Sequence, residues 1–219
     1  MYFESRAQAG QLLAEEIYKD YAGKPCAVVA LSEGGVIVGA QIALKLNCVL
    51  TMLLVETIDL PNEPDPIGSV TETGSFTYNS MYSAGQVEEL MSDYRGVVED
   101  EKRVSVGQIH RLLGESRGIR PRLLSGKNIF VVADGFSTGY SLDIALDFLK
   151  PLKYQSLIVA TPVSSPAAVD RMHVLSDKIY CLNVADSYLD TEHYYDRHDI
   201  PRREDVVRIV EEAMEHWRD

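Results

Sequence analysis

Positive charge is scarce in this sequence. It has 21 Lys and Arg residues and 33 Asp and Glu residues, which gives a formal net charge of −12 at pH 7. Sequence-independent binding to nucleic acid, or to an anionic membrane surface, needs clustered Lys and Arg. The composition therefore argues against both partners, and a site for an anionic ligand would need positive charge that is supplied locally.

Long apolar runs and cysteine clusters are also missing. No stretch approaches the roughly 20 apolar residues of a membrane-spanning helix, and the opening residues MYFESRAQAG lack the basic and apolar regions of a secretory leader. The three cysteines, Cys26, Cys48 and Cys181, fall inside predicted strands and have no metal-binding spacing. We therefore expect a cytoplasmic protein with buried free thiols.

A strand followed by a loop of small residues stands at 128–141, with the sequence NIFVVADGFSTGYS. The apolar run at 129–132 is typical of a buried parallel strand, and a helical pattern runs from about 138 to 150. The loop between them would lie at the carboxyl end of the strand, where open α/β sheets bind their ligands.

The composition of this loop suits a phosphate group. Gly135 and Gly139 let the backbone approach a ligand, and Ser137, Thr138 and Ser141 add hydroxyl donors beside a helix N-terminus. Neither the Gly-Lys-Ser/Thr of a P-loop nor a G-x-G-x-x-G dinucleotide motif is present here. The loop therefore predicts phosphate binding of another kind, with an ordinary strand–turn–helix connection as the alternative.

The same stretch resembles the signature of type I phosphoribosyltransferases, enzymes that use 5-phosphoribosyl 1-diphosphate (PRPP). That signature is an apolar strand, an acidic pair and a Gly-x-Ala/Ser-Thr-Gly-x-Thr/Ser loop. Ala133 stands at the first acidic position, so Asp134 is the remaining acid and the one candidate catalytic residue. The resemblance implies a ribose-phosphate site formed by Asp134, Gly135, Phe136, Ser137, Thr138, Gly139, Tyr140 and Ser141.

The order of predicted elements is similar to the same family. Predicted strands occupy 26–31, 49–55, 129–132, 157–161 and 179–184, and predicted helices occupy 6–21, 36–46, 138–150 and 166–175. A hairpin at 69–71 and 75–79 precedes a long polar helix that reaches about 113, and a final amphipathic helix places Val206, Val210, Ala213 and Trp217 on one face.

This order implies the type I phosphoribosyltransferase fold of class α/β. We expect a five-stranded, mainly parallel sheet flanked by helices, with a hairpin insertion and a C-terminal hood. The chain would form one domain with a core at about 24–185 and a hood or cap from about 1–22 and 186–219. The segments DLPNEPDPIGSV, IVATPVSSPAAVDRM and HYYDRHD resemble a subgroup of bacterial phosphoribosyltransferase-domain proteins of poorly known substrate.

A second loop, in VVALSEGGVIVGAQIALKL, looks like the diphosphate-binding loop of the family. It comprises Ser32, Glu33, Gly34 and Gly35. Glu33 replaces the family's Arg or Lys, and Glu56-Thr57 replaces a basic pair of the subgroup, so attraction for a diphosphate should be weakened. Mg²⁺ recruited by Glu33 or Glu56 would restore it, and solvated loop glutamates are the alternative.

Aromatic residues near the C-terminus resemble the acceptor region of the family. Tyr188, Tyr194 and Tyr195 fall in the hood, which implies that they stack on an acceptor base, with ordinary half-buried surface tyrosines as the alternative. Tyr140 could likewise stack on a base or pack against the next element. The residues at 193, 196 and 198 have a spacing that a metal could use, but we predict no metal site there.

Two functions are compatible with these features. In the first, the protein is a homodimeric phosphoribosyltransferase that uses PRPP and Mg²⁺ to transfer a phosphoribosyl group to a nitrogenous acceptor. In the second, it is a catalytically inactive relative that senses a phosphorylated ribose or nucleotide-like small molecule, or serves as an assembly partner. The combined change at Glu33, Glu56 and Ala133 favours the second.

Overall fold

The computed structural model describes residues 2–113, 118–198 and 200–215, with the side chains of 209 and 211–215 left out. The predicted contributions of Ala213 and Trp217 to an apolar face therefore lie outside the described side chains. The strands are β1 (Cys26–Ala30), β2 (Val49–Met52), β3 (Val55–Ile58), β4 (Gly68–Thr71), β5 (Phe76–Tyr78), β6 (Asn128–Val132), β7 (Ser156–Ser164) and β8 (Lys178–Val184). The helices are α1 (Arg6–Tyr21), α2 (Glu33–Leu46), α3 (Ala84–Leu113), α4 (Pro121–Leu124), α5 (Tyr140–Leu149), α6 (Pro166–Leu175) and α7 (Arg203–Glu215).

A five-stranded parallel sheet forms the centre of the molecule, in the order β2-β1-β6-β7-β8. This confirms the predicted α/β fold class. Side chains alternate along β6: Phe130 packs with residues of α1 and α2, whereas Val131 packs with residues of α5 on the opposite face. Because every residue of β6 is buried, the loop that follows this strand starts from a rigid position.

The prediction of a single strand at 49–55 is wrong in one respect. Leu53 and Leu54 interrupt it, and β3 then leaves the parallel sheet to pair antiparallel with β4. Together with β5 these strands form a three-stranded sheet, which contains the predicted hairpin. Both leucines are buried. The apolar run in the sequence therefore continues past the point where the chain changes sheet, and no residue there marks the end of β2.

Helix α3 is one continuous helix of 30 residues, so Gly96 and Gly107 do not divide it. Within the described ranges, none of the helices combines the length and the apolar character that are required to cross a bilayer. The three cysteines have free thiols, and Cys26 and Cys48 are buried as expected, whereas Cys181 is only partly buried. Cys48 lies just before β2 and not inside a strand.

A buried carboxylate anchors the β4–β5 hairpin to the end of α3. Glu72 is 7% exposed, and its Oε1 atom accepts a hydrogen bond of 2.6 Å from the backbone N–H of Ile119. Nε2 of His110 lies 2.9 Å from the Glu72 carbonyl oxygen. Oε2 is buried without a hydrogen-bond partner. Burial raises the pKa of Glu72, and the hydrogen bond from Ile119 opposes part of that shift.

Glu72→Gln is expected to make the protein more stable at pH 8 and to leave its stability at pH 4 nearly unchanged. Because the folded-state pKa of Glu72 is raised, its contribution to stability is complete below the unfolded pKa of about 4.3 and is lost as the pH rises through the folded pKa. Gln keeps the acceptor for Ile119 and never ionises. Urea unfolding between pH 4 and 8 measures this, with Glu89→Gln on the exposed face of α3 as the control. A Glu72→Gln profile parallel to that of the native protein would contradict the expectation.

Candidate functional site

The loop after β6 is fixed to the neighbouring strand β7 by its backbone. The N–H of Phe136 donates to the Val163 carbonyl at 3.1 Å, and the N–H of Ser165 donates to the Phe136 carbonyl at 2.9 Å. The Phe136 side chain is 2% exposed. Among the predicted ligand-binding residues, Phe136 therefore lies in the core and positions the loop rather than presenting a side chain to a ligand.

The tip of the loop presents hydroxyl groups to solvent next to the N-terminus of α5. Ser137 and Thr138 are exposed, and Ser141 is partly buried. Gly139 is the N-cap of α5 and has φ +80°, a left-handed conformation that favours glycine. The N-cap Gly139 has no side chain to cap the helix, and the Tyr140 N–H makes only a long contact of 3.4 Å with Thr138 Oγ1, so the N-terminus of α5 stays directed at the loop. This combination can accept an anion.

Tyr140 does not face this tip. Its hydroxyl lies 3.0 Å from Ser69 Oγ and 3.1 Å from the Thr77 carbonyl oxygen, and burial raises its pKa. Of the two alternatives for Tyr140, packing against the next element matches the structure. The side chain ties α5 to the three-stranded sheet.

Asp134 is held from two sides at the start of the loop. Arg6 Nε donates to its Oδ2 at 2.7 Å, and Ser32 Oγ donates to its Oδ1 at 2.7 Å. Ser5 fixes the position of Arg6, because its Oγ accepts from the N–H of Gln8 and caps α1. The Asp134 carboxylate therefore joins the start of α1 to the loop before α2.

Arg6 is fully buried and extends the same network into the C-terminal part of the predicted hood at 186–198, which is called the hood from here on. Its Nη2 donates to the carboxylate of Glu192, and its Cζ lies 4.4 Å from the centroid of the Tyr195 ring. Burial alone would lower the pKa of Arg6, but the hydrogen bonds and charges of Asp134 and Glu192 outweigh it, so that the pKa is raised. Arg6 is thus a permanent cation at the centre of this cluster.

The hood tyrosines pack against the loop. The Tyr195 hydroxyl donates to the Asp134 carbonyl at 2.6 Å, and burial raises the pKa of Tyr195. Tyr194 and Tyr195 are 5% and 3% exposed, which leaves neither ring a face for an acceptor base. Tyr188 is partly exposed, and a Cβ built at Gly135 would lie 2.6 Å from its hydroxyl. The hood therefore rests directly on Gly135.

The predicted diphosphate loop is the N-cap and first turn of α2, because the helix begins at Glu33 and not at 36, and it is in contact with Asp134. Ser32 caps α2 by accepting from the N–H of Gly35 at 2.9 Å, while its hydroxyl hydrogen goes to Asp134. A Cβ added at Gly34 would overlap the Asp134 carboxylate and would lie 2.7 Å from Arg6 Nε. Glycine is required at Gly34 because of this close approach.

Arg203, at the start of α7, reaches the neighbouring glutamates. Its Nη1 donates to Glu56 Oε1 at 2.6 Å, its Nη2 donates to the Val55 carbonyl at 2.9 Å, and its Nε lies 3.4 Å from Glu33 Oε1. One guanidinium thus bridges both glutamates that replace basic residues of the expected pattern.

The model of the family described as the phosphoribosyl transferase domain matches residues 3–188. The chain belongs to this family. It is 26% identical over 182 residues to a Mycobacterium tuberculosis protein that is provisionally named a phosphoribosyl transferase. The match covers 82% of this chain and 40% of that protein, so the chain spans about two fifths of the length of the curated relatives.

Solved structures agree with this assignment. The protein TT1426 from Thermus thermophilus superposes with a TM-score of 0.74 and 26% identity, over 97% of this chain and 99% of that chain. The protein AQ2163 from Aquifex aeolicus shows a similar fold, with a TM-score of 0.51 and 14% identity over 92% and 84% of the two chains. Together with the family match at 3–188, this likeness shows the type I phosphoribosyltransferase fold.

The carboxylates that could hold Mg²⁺ in this phosphoribosyl transferase domain are already paired. Mg²⁺ in such sites binds one or two carboxylates and substrate phosphates, and keeps several waters. Glu33 and Glu56 converge instead on Arg203, so both carboxylates already have a cation as partner. In this arrangement the residues do not fit Mg²⁺.

The histidines of the hood have other partners. His193 Nε2 lies 2.9 Å from the Tyr2 hydroxyl, and His198 Nδ1 contacts the Glu192 carboxylate. The backbone N–H of Asp196 donates to the Phe3 carbonyl at 3.0 Å. His193 and Asp196 therefore help to join the N-terminal segment to the hood, whereas His198 pairs within the hood.

Three arginines around the two loops were missed in the sequence: Arg6, Arg171 and Arg203. Arg171 crosses the loop at Gly139, where a built Cβ would lie 3.1 Å from its Cβ, and its Nε lies 3.1 Å from Asp143. Of the three, only Arg6 could have been noticed from its neighbours in the sequence. It is the first residue of a helix with no acidic residue in its first turn, although helix dipoles favour acids there.

Proposed function

We propose that this domain binds a small molecule that contains a 5-phosphorylated ribose, with the phosphate on the 134–141 loop, and that it does not turn over PRPP. The observation that carries the proposal is the exposed Ser137-Thr138 pair beside the N-terminus of α5, whose N-cap residue supplies no side-chain acceptor. Backbone N–H groups and hydroxyls can bind a phosphate there without any basic side chain. That site is compatible with the acidic composition of the chain.

The neighbouring diphosphate loop supports loss of transfer. Glu33 and Glu56 contribute two negative charges, and Arg203 offsets one of them. Two like charges about 4 Å apart repel by roughly 4 kcal/mol at an effective dielectric near 20, so a diphosphate is disfavoured beside the remaining charge. Phosphoribosyl transfer depends on stabilising a leaving diphosphate, and this loop lacks the means to do so.

Phosphoribosyl transfer to a nitrogenous acceptor is the second candidate. It is favoured by the similarity to the Mycobacterium tuberculosis relative, which is provisionally named a phosphoribosyl transferase. Tyr188 keeps a partly exposed ring and is the remaining candidate for acceptor contact. The homodimer and the cytoplasmic location that we expect from the sequence stay predictions.

Calorimetric titrations with ribose 5-phosphate and with PRPP, each with and without Mg²⁺, separate the two candidates. We expect ribose 5-phosphate to bind at least as tightly as PRPP, with no dependence on Mg²⁺. PRPP that binds far more tightly, and only with Mg²⁺, would overturn the proposal in favour of transfer. Binding of neither ligand would remove both functions at this loop.

Ser137→Ala combined with Thr138→Val is expected to weaken ribose 5-phosphate binding about tenfold or more, because hydrogen bonds to a charged group contribute roughly 1.5–3 kcal/mol each. Both side chains are exposed, so the fold should tolerate the change. Ser125→Ala is the control, since Ser125 is an exposed serine just before the opposite end of β6. Equal affinities of the double variant and the control would show that the phosphate binds elsewhere.

A further inference from the structure

Arg6 has donor capacity that the folded protein does not use. A guanidinium carries five N–H donors. Nε pairs with Asp134 and Nη2 with Glu192, whereas Nη1 is buried without a hydrogen-bond partner. Arg6 has no exposed surface, and a buried unpaired donor on a charged group is costly. Arg6 therefore has one donor left for an additional acceptor.

The two carboxylates that pair with Arg6 are held differently. The Asp134 side chain is 10% exposed and is fixed by Ser32 as well, so the Arg6–Asp134 pair is a balanced and permanent unit. The Glu192 side chain is 46% exposed and belongs to a short 3-10 turn of the hood. Glu192 also contacts His198, which is exposed. Glu192 can therefore leave Arg6 for solvent, whereas Asp134 cannot.

The position of Arg6 relates it to the proposed ligand. Asp134 begins the loop that would hold the 5-phosphate, and Arg6 pairs with the carboxylate of that residue. The sugar of a 5-phosphorylated ribose bound at the loop would extend towards this end. Sugar hydroxyl oxygens accept hydrogen bonds, and a neutral Arg–Asp pair can donate to and accept from the same hydroxyls without adding net charge.

We propose that Arg6 is a binding residue for the sugar oxygens of the ligand, and that Glu192 occupies it in the free protein as an internal competitor. The assignment rests on the proposed function for the identity of the ligand. Binding then exchanges one acceptor on Arg6 for another and releases Glu192, which removes one of the contacts that hold the hood. The Arg6 Nη1 donor gains a partner in the same step.

A pair of matched substitutions tests this assignment. Glu192→Gln removes the charge that competes for Arg6. Glu4→Gln removes the charge of a second ion pair between the N-terminal segment and the hood, formed with Arg197 at 2.7 Å, which does not involve Arg6. Both carboxylates are about half exposed, so neither variant should fail to fold.

Titrations use ribose 5-phosphate and inorganic phosphate with each variant. Glu192→Gln is expected to raise the affinity for ribose 5-phosphate about tenfold, because a neutral amide competes less well than a carboxylate for a guanidinium. Its affinity for inorganic phosphate should not change, since phosphate alone occupies the loop. Glu4→Gln should leave both affinities unchanged. Equal effects of the two variants, or an equal gain for both ligands, would overturn the role of Arg6.

Hydrogen exchange without ligand gives a separate readout of the hood. The Phe3 N–H donates to the Tyr194 carbonyl, and the Asp196 N–H donates to the Phe3 carbonyl. These amides should exchange faster in Glu192→Gln than in Glu4→Gln. If neither the native protein nor the two variants bind ribose 5-phosphate or inorganic phosphate, the proposed function fails and the ligand role of Arg6 fails with it. Unchanged exchange in Glu192→Gln would overturn the competition by Glu192, whatever the titrations give.

Discussion

Replacement of Arg6 by methionine is expected to lower the free energy of unfolding by about 3–5 kcal/mol, because breaking a buried ion pair leaves the other charge without a partner. Arg6 is fully buried, and the Asp134 carboxylate that it neutralises is 10% exposed. The variant also removes the cation over the Tyr195 ring and the partner of Glu192. Urea unfolding at neutral pH measures the loss.

Two further variants show whether the loss comes from the stranded charge. Arg6→Met combined with Asp134→Asn should recover much of the stability, since a buried carboxylate no longer stands unpaired. Arg197→Met, which breaks the exposed pair with Glu4, should cost no more than about 1 kcal/mol. A loss for Arg6→Met as small as that for Arg197→Met would mean that Asp134 finds another cation or water.

Gly34→Ala is expected to destabilise the protein by about 1–3 kcal/mol, the usual cost of overpacking a close contact. The added methyl group would overlap the Asp134 carboxylate and press on Arg6 Nε, so one of these groups must move. The effect therefore falls on the residues that hold the site together. We also expect weaker binding of ribose 5-phosphate, because Asp134 begins the phosphate loop.

The same glycine-to-alanine substitution in α3 is expected to increase the stability of the protein instead. Gly96 lies inside α3, and a Cβ built there has no atom within 4 Å. Gly96→Ala should therefore stabilise the protein by about 0.5–1 kcal/mol through helix propensity and chain entropy. Thermal or urea unfolding of both variants measures the contrast. Stabilisation by Gly34→Ala would show that the first turn of α2 has room for a methyl group beside Asp134, contrary to the close contacts.

The sequence predicts those features that depend on neighbouring residues. The apolar run before Asp134, the small residues after it and the alternating helices lead to the parallel sheet and to the position of the loop. The cap at Ser5 and the glycine at 139 are local in the same sense. Hydrophobic periodicity and turn chemistry act over a few residues, so these features can be inferred without any knowledge of packing.

The charge pairing around the two loops cannot be inferred in this way. Arg6 is 128 residues from Asp134 along the chain, and Arg203 is 147 residues from Glu56. Glu33 and Glu56 suggest a repulsive loop when they are considered with their neighbours, and only the fold brings a cation to them. The hood tyrosines pose a related problem, because tyrosine is common both in cores and at surfaces, and burial of Tyr194 and Tyr195 depends on distant elements.

The joining of two distant segments at the site has a consequence for the order of folding. Glu4 and Arg197 are in contact although 193 residues separate them, and Phe3 pairs with Tyr195 as a short parallel bridge. The entropy lost on closing a loop grows with its length, and contacts between distant parts of the chain form slowly. The parallel sheet can therefore assemble while the hood is still unattached. During synthesis the site is complete only after the hood segment has left the ribosome and met the segment around Phe3.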